Sequence, residues 1–256
     1  MANQSTIEMG GPRANRAGSL TSRAVSFWLL AVLLMFLLAA ASAPSPLYPI
    51  YQSKFQFSAI TLTVIYAVYA FGALVALLIG GRVSDHVGRR RVVMFALIIQ
   101  IAGMVAFIVA ESVEMLYLGR ILQGMGTAIA ASAINAWLLD LQPPENPRLG
   151  SIVGGIAVIA GLGTGGLGSG LLVQYAPDPL HFVFWLLMVI FIVAFFAMIV
   201  IPDPVKRTPG WLQSMRPQIG IVPAARSMFV ALLPSFIAIW ALGGLYLSLG
   251  PSLVIS

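Results

Sequence analysis

Phe182-Val-Phe-Trp-Leu-Leu-Met-Val-Ile-Phe-Ile-Val-Ala-Phe-Phe-Ala-Met-Ile-Val-Ile201 is a run of twenty residues with no charged side chain and no polar group beyond the Trp185 indole. A helix needs about 20 apolar residues to cross the hydrocarbon core of a bilayer, so this stretch reads as a transmembrane helix. Working outward from it, further apolar runs lie at 25–47, 58–80, 91–110, 115–139, 149–173 and 227–250, which makes seven spanning helices. The composition agrees: 59% of the residues are hydrophobic, 9% are charged and none is Cys. Seven spans fill the length, no large water-soluble domain fits beside them, and most enzyme classes are excluded. Without Cys there are no disulfides and no thiolate chemistry. The net charge of +6 does not point to nucleic acid, because the basic residues sit between apolar runs, where they record orientation.

That orientation can be counted. With the amino terminus inside, the inside segments hold Arg13, Arg16, Arg23, Arg82, Arg89, Arg90, Arg91, Arg148, Lys206, Arg207, Arg216 and Arg226, twelve of the fourteen basic residues. Lys54 alone falls outside and Arg120 lies within a span. The reading is a multi-pass protein of the cell membrane with a cytoplasmic amino terminus. Arg23, the apolar stretch after it and Ala41-Ser42-Ala43 imitate a signal peptide, but that stretch is longer than such a peptide needs. The chain divides into four segments: a disordered cytoplasmic tail at 1–24, a six-helix domain at 25–201, a cytoplasmic linker at 202–226, and at 227–256 the first helix of a further domain.

The runs repeat. The first and fourth, second and fifth, and third and sixth starts are each offset by about 90 residues, the spacing expected of two three-helix units. An odd helix number inverts the second unit. The third and sixth runs are nearly free of polar side chains and are read as peripheral. The first carries Ser42, Ser45 and Tyr48, the fourth Arg120, Gln123, Thr127, Ser132 and Asn135, and the seventh Ser235, Trp240, Tyr246 and Ser248. These are expected to face a watery interior. Arg120, Gln123, Thr127 and Asn135 fall within roughly a third of the helix circumference and form one stripe, with Tyr66 and Tyr69 of the second run as candidate cavity contacts. A guanidinium inside a span costs at least ~2.5–3.5 kcal/mol on insertion scales and is normally kept for an ion or substrate pathway.

The connector between the second and third runs reads Gly81-Arg-Val-Ser-Asp85-His-Val-Gly88-Arg89-Arg90-Arg91. It resembles the Gly-x-x-x-Asp-x-x-Gly-Arg-Arg signature of the major facilitator superfamily of secondary transporters, at Gly81, Asp85, Gly88, Arg89 and Arg90. Arg120-Ile-Leu-Gln123-Gly124 resembles that family's Arg-x-x-Gln-Gly segment. Late in the fifth run, Gly165-Gly166-Leu-Gly168-Ser169-Gly170 departs from the family's antiporter pattern Gly-Pro-x-x-Gly-Gly by lacking the Pro and one Gly. Glycines of this run, with Gly161, Gly165, Gly166 and Gly170 singled out, are expected to let two neighbouring helices pack closely on opposite faces. Gly161-Leu-Gly163-Thr-Gly165-Gly166 has the form of a dinucleotide fingerprint, but it comes after no strand and lies inside a span.

The resemblance implies an all-α bundle of two inverted three-helix repeats, extended by a seventh helix, and so half of a twelve-helix transporter plus one helix. It implies proton-coupled efflux of a small organic compound by alternating access, with no enzymatic activity, cofactor or metal. The partners would be the substrate, protons, the lipid bilayer and either a missing carboxy-terminal half or a second copy. Every acidic residue lies at a helix end or beyond, so no carboxylate stands ready in mid-membrane to carry a proton. Two other classes are weighed. A seven-helix retinal protein needs a Lys within a helix, whereas Lys54 and Lys206 fall in connectors, and a receptor would place its amino terminus outside. A half-size protein acting by dimerisation is the remaining alternative.

Overall fold

The computed structural model describes residues 22–80, 83–203, 205 and 226–255. The 1–24 tail and the 202–226 linker lie almost wholly outside the described residues, as does Gly81 of the connector signature.

Nine α-helices are described: α1 (Arg23–Ser42), α2 (Tyr48–Phe55), α3 (Ala59–Gly80), α4 (Val83–Val87), α5 (Arg89–Ile108), α6 (Val113–Leu141), α7 (Leu149–Tyr175), α8 (Phe182–Val200) and α9 (Arg226–Ile255). Seven segments are long and apolar enough to cross a membrane, the first running from Arg23 through to Phe55. The chain is therefore a multi-pass membrane protein. α1 begins where the Ser22 hydroxyl accepts from the Val25 N–H at 3.2 Å, satisfying one of the free donors of a helix start. It ends at Ser42, where Pro44, Pro46 and Pro49 remove successive backbone donors. The chain does not stop there. A 3₁₀ turn at Ser45–Leu47 carries it into α2, so the first span is one broken helix and extends past the expected limit at 47.

α6 occupies the middle of the bundle, in contact with α1, α3, α5 and α7. α3 lies along α6 much as α7 lies along α1, as two inverted three-helix units related by a twofold would place them, whereas α5 packs closely on α6 and α8 barely meets α1. Small residues allow these close approaches, which in lipid depend on packing rather than on a hydrophobic force between helices. Gly124 sits directly against the Tyr69 carbonyl of α3, and Gly161 and Gly165 against the Met35 and Ala39 carbonyls of α1. The opposite face of α7 differs. Gly155, Gly163 and Gly166 have no neighbour within 4 Å of where a Cβ would stand, and Gly170 only the Pro46 ring at 4.0 Å. The expected second packing face, and Gly166 as a packing glycine, are corrected: α1 closes on Gly161 and Gly165 and α6 on Gly150 and Gly154, all on one face, and the opposite face lies open.

A second correction concerns α5. Its sequence predicts a peripheral helix, yet half of its apolar stretch is buried, with α6 and α8 packed on it, and Gln100 is fully buried. Its apolar sequence is that of a helix enclosed by protein as much as of one facing lipid. α8, 28% buried, does lie at the edge. α9 rests lightly on α3 and the 3₁₀ turn. Ser235 is exposed, and the side chains of Trp240, Tyr246 and Ser248 lie outside the described residues.

Candidate functional site

The proline break in α1 decides the local chemistry. In a continuous helix the N–H of residue i+4 satisfies the carbonyl of residue i, and Pro44 cannot do so for Ala40. Side chains from α6 fill the gap. Gln123 Nε2 donates to the Ala40 carbonyl at 2.8 Å and Arg120 Nη1 to the Ala41 carbonyl at 2.9 Å. Arg120 Nη1 also donates to Gln123 Oε1 at 2.6 Å, so the two side chains brace each other. Only 2% of Arg120 is exposed, and no carboxylate touches it among the described residues. Its cation is balanced instead by carbonyl dipoles and by aromatic faces. The guanidinium carbon lies 4.8 Å from the Tyr69 ring centre, 5.1 Å from that of Tyr66 and 5.8 Å from that of Tyr48, all within cation–π range. Tyr66 donates to the Ser45 hydroxyl at 3.0 Å, tying α3 to the 3₁₀ turn. Arg120 Nε and the Tyr48 hydroxyl are buried with no hydrogen-bond partner among the described residues.

The stripe on α6 does not form one site. Thr127 turns to α5 and α3, accepting from Gln100 Nε2 at 3.2 Å and lying beside Tyr69. Asn135, about four helical turns beyond Arg120, donates to its own Ala131 carbonyl and packs against Gly154 of α7. Structure therefore unites Arg120, Gln123, Tyr66 and Tyr69, links Thr127 through Tyr69, and leaves Asn135 apart. The expectation that these side chains, with Ser42 and Ser45, line an open watery interior is corrected. Ser42, Ser45, Gln123 and Thr127 are all buried where helices meet, because a short polar side chain in lipid finds its partners on a neighbouring backbone. Sequence reasoning missed Gln100 as part of this group and Ser169 of α7, whose hydroxyl donates to the Ala43 carbonyl at 2.6 Å. Three prolines in six residues were the available signal, since they announce free carbonyls.

A second constellation lies at the end of the bundle where α1, α5 and α7 begin. Gly88 precedes α5 with φ 107°, a backbone conformation that favours glycine. Arg89 pairs with Asp85 one turn back, donates to the Ser84 hydroxyl at 2.7 Å and reaches Asp140 at the end of α6 at 3.3 Å. Arg90 donates to the Ile199 carbonyl at 3.1 Å. The Asp203 carboxylate, just beyond α8, accepts the backbone N–H groups of Arg89 and Arg90 at 3.2 Å each and so caps α5. Asp203 also escaped the sequence reading. On the same end, Arg23 donates to the Asp140, Leu141 and Gln142 carbonyls at 2.8, 3.0 and 3.2 Å, closing the carboxy-terminal end of α6. An apolar cavity of about 260 Å³ beside it, lined by Phe27, Trp28, Leu141, Pro143 and Leu149, is remote from the Arg120 group.

The family model described as Major Facilitator Superfamily matches residues 27–255. The bacillibactin exporter of Bacillus subtilis (strain 168) is 28% identical over 116 residues, which are 43% of this chain and 29% of that protein. The quinolone resistance protein NorA of Staphylococcus aureus is 23% identical over 178 residues, 68% of this chain and 44% of NorA. Among solved structures, the peptide transporter POT in complex with alafosfalin superimposes with a TM-score of 0.58 at 18% identity, covering 85% of this chain and 45% of the transporter. The chain thus spans less than half the length of each of these proteins.

Proposed function

The chain belongs to the Major Facilitator Superfamily, a family of transporters rather than enzymes, and from that premise we propose that it forms one half of a secondary transporter that exports a small organic compound in exchange for protons. The observation that carries this reading is the buried guanidinium of Arg120, held against a broken span at the centre of a six-helix half. Transporters of this architecture build substrate and ion sites at discontinuous helices, and here the discontinuity lies toward the outer end of the first span, after the 20 residues of α1. Arg120, Gln123, Tyr66 and Tyr69 form the substrate or coupling group, with Thr127 behind Tyr69. Asn135 serves the contact with α7. Export, rather than import, is supported by the likeness to an exporter and a resistance protein.

Asp85, Gly88, Arg89 and Arg90 act as a conformational switch at the cytoplasmic end, together with Gly81. Their ion pairs tie α4 and α5 to the end of α6, and breaking them frees the two three-helix units to shift. The proton carrier lies elsewhere, because all described carboxylates sit at helix ends or beyond, and guanidinium does not deprotonate in proteins. The open face of α7 at Gly155, Gly163 and Gly166 offers a seat for a second half or a second copy.

The test is flux. The complete gene product, reconstituted in proteoliposomes under an imposed pH gradient, should move a quinolone, bacillibactin or another small organic compound and dissipate the gradient as it does so. Substrate movement that leaves the gradient untouched would remove proton coupling. No movement of any compound by correctly folded protein would remove the transport reading.

A further inference from the structure

Three carbonyls at the break in α1 accept side-chain donors from other helices, only two of them from α6. The third belongs to Ala43. Because Leu47 turns its N–H to the Pro44 carbonyl at 3.1 Å in the 3₁₀ turn, that donor is taken from Ala43. Ser169, 2% exposed, supplies the replacement at 2.6 Å. Gly165, one turn earlier on α7, lies against Ala39 and brings Ser169 within reach. A second hydroxyl runs the other way: Ser42 Oγ donates to the Leu162 carbonyl at 2.8 Å. The two bonds hold different parts of the chain. Ser42 ends the regular part of α1, whereas Ala43 leads directly into Ser45 and Tyr48. Ser45 accepts from Tyr66, and the Tyr48 ring lies over Arg120 and 5.2 Å from the Tyr66 ring.

The geometry points to Ser169 as a positioning residue of the Arg120 site: its hydroxyl fixes the segment from Ala43 to Tyr48 and so holds Ser45 and Tyr48 against the guanidinium. This rests on the transport reading for its meaning, but not for its test. Gln123 and Arg120 anchor the break from α6, and Ser169 anchors it from α7, so the outer part of the first span is held from both sides. Loss of the α7 anchor releases that part while the contact at Gly161 and Gly165 keeps α1 and α7 together.

Leu47, fully buried at the end of the 3₁₀ turn, gives the readout. In this Cys-free chain, Leu47→Cys places a single thiol whose reaction with N-ethylmaleimide reports opening of the segment. The chain is reconstituted in nanodiscs and its helicity checked for each variant. Ser169→Ala should raise the labelling rate about three- to tenfold, the range that corresponds to one lost interhelical hydrogen bond. Ser169→Thr, which keeps the hydroxyl, should bring the rate back towards the parent value. Ser42→Ala, which removes the neighbouring α1–α7 bond, should leave it within about twofold. An unchanged rate in Ser169→Ala, a rate in Ser169→Thr equal to that in Ser169→Ala, or an equal rise in Ser42→Ala would each overturn the assignment. Flux is measured separately, so a failure of transport cannot be mistaken for a failure of Ser169 to hold the segment.

Discussion

Gly165 and Gly166 are adjacent in sequence and should respond to the same substitution in opposite ways. A Cβ added at Gly165 would land on the Ala39 carbonyl and the Ser42 hydroxyl of α1, whereas one added at Gly166 meets nothing within 4 Å. Ordinary carbon–oxygen contact needs well over 3 Å, so Gly165→Ala must push α7 from α1 by about an ångström. Overpacking of this kind costs about 1–3 kcal/mol. Both substitutions gain the same helix propensity, about 0.8–1 kcal/mol for Ala over Gly. Propensity cancels in the comparison, and Gly165→Ala should be less stable than Gly166→Ala by about 1–3 kcal/mol, a five- to 150-fold difference in unfolding equilibrium. Relative to the parent, Gly166→Ala should be neutral or slightly stabilising. Reversible unfolding in mixed micelles with rising SDS mole fraction, followed by far-ultraviolet circular dichroism, measures both. Equal midpoints for the two variants would refute the close α1–α7 contact, and with it the single packing face of α7.

The site and the ends of the bundle give further expected outcomes. Arg120→Lys should impair flux in the complete transporter although charge is kept, because both bonds, to Ala41 and to Gln123, leave from Nη1, one bond farther out than a lysine Nζ, and an ammonium lacks the planar face set among Tyr48, Tyr66 and Tyr69; wild-type flux would reduce Arg120 to a positive charge of no special geometry. Asp203→Ala should destabilise the chain by about 1 kcal/mol through loss of the cap on α5, with Asp203→Asn costing less because its amide oxygen still accepts, and unfolding midpoints ranked the other way would exclude capping. Single cysteines at Ser53 and Pro209 should react with an impermeant maleimide from outside and from inside respectively; the reverse pattern would invert the topology drawn from the basic residues.

The spans were legible because the bilayer imposes a length and an apolarity that few other environments require. Phe182–Val200, for example, differs by one residue from the run read in sequence. What escaped was set by contacts between distant residues. Pro44, Pro46 and Pro49 read locally as the end of a helix, and nothing near them shows that Arg120, Gln123 and Ser169 will supply donors and let the span resume. The polar stripe on α6 was visible from its period, but its division among α1, α3, α5 and α7 depends on which helix lies opposite each residue. Asp203 is separated from the N–H groups it caps by more than 110 residues, so no local capping pattern could reveal it. Gly166 shows the converse limit: glycines on both sides of α7 look alike in sequence, and only the neighbours distinguish a packed one from an open one.

The donors that complete the first span come 79, 83 and 126 residues after their carbonyls. At ribosomal rates of about 5–20 residues per second, that interval is roughly 4–25 s. For that time the nascent span carries exposed acceptors in a setting where lipid offers none. The elongating chain must keep the proline segment near water, or beside the insertion machinery, until α6 and then α7 arrive. Damage at Gln123 or Ser169 would then be felt during synthesis, as protein that is degraded before it is finished, and the quantity of protein in the membrane would fall more than the stability of the molecules that reach it.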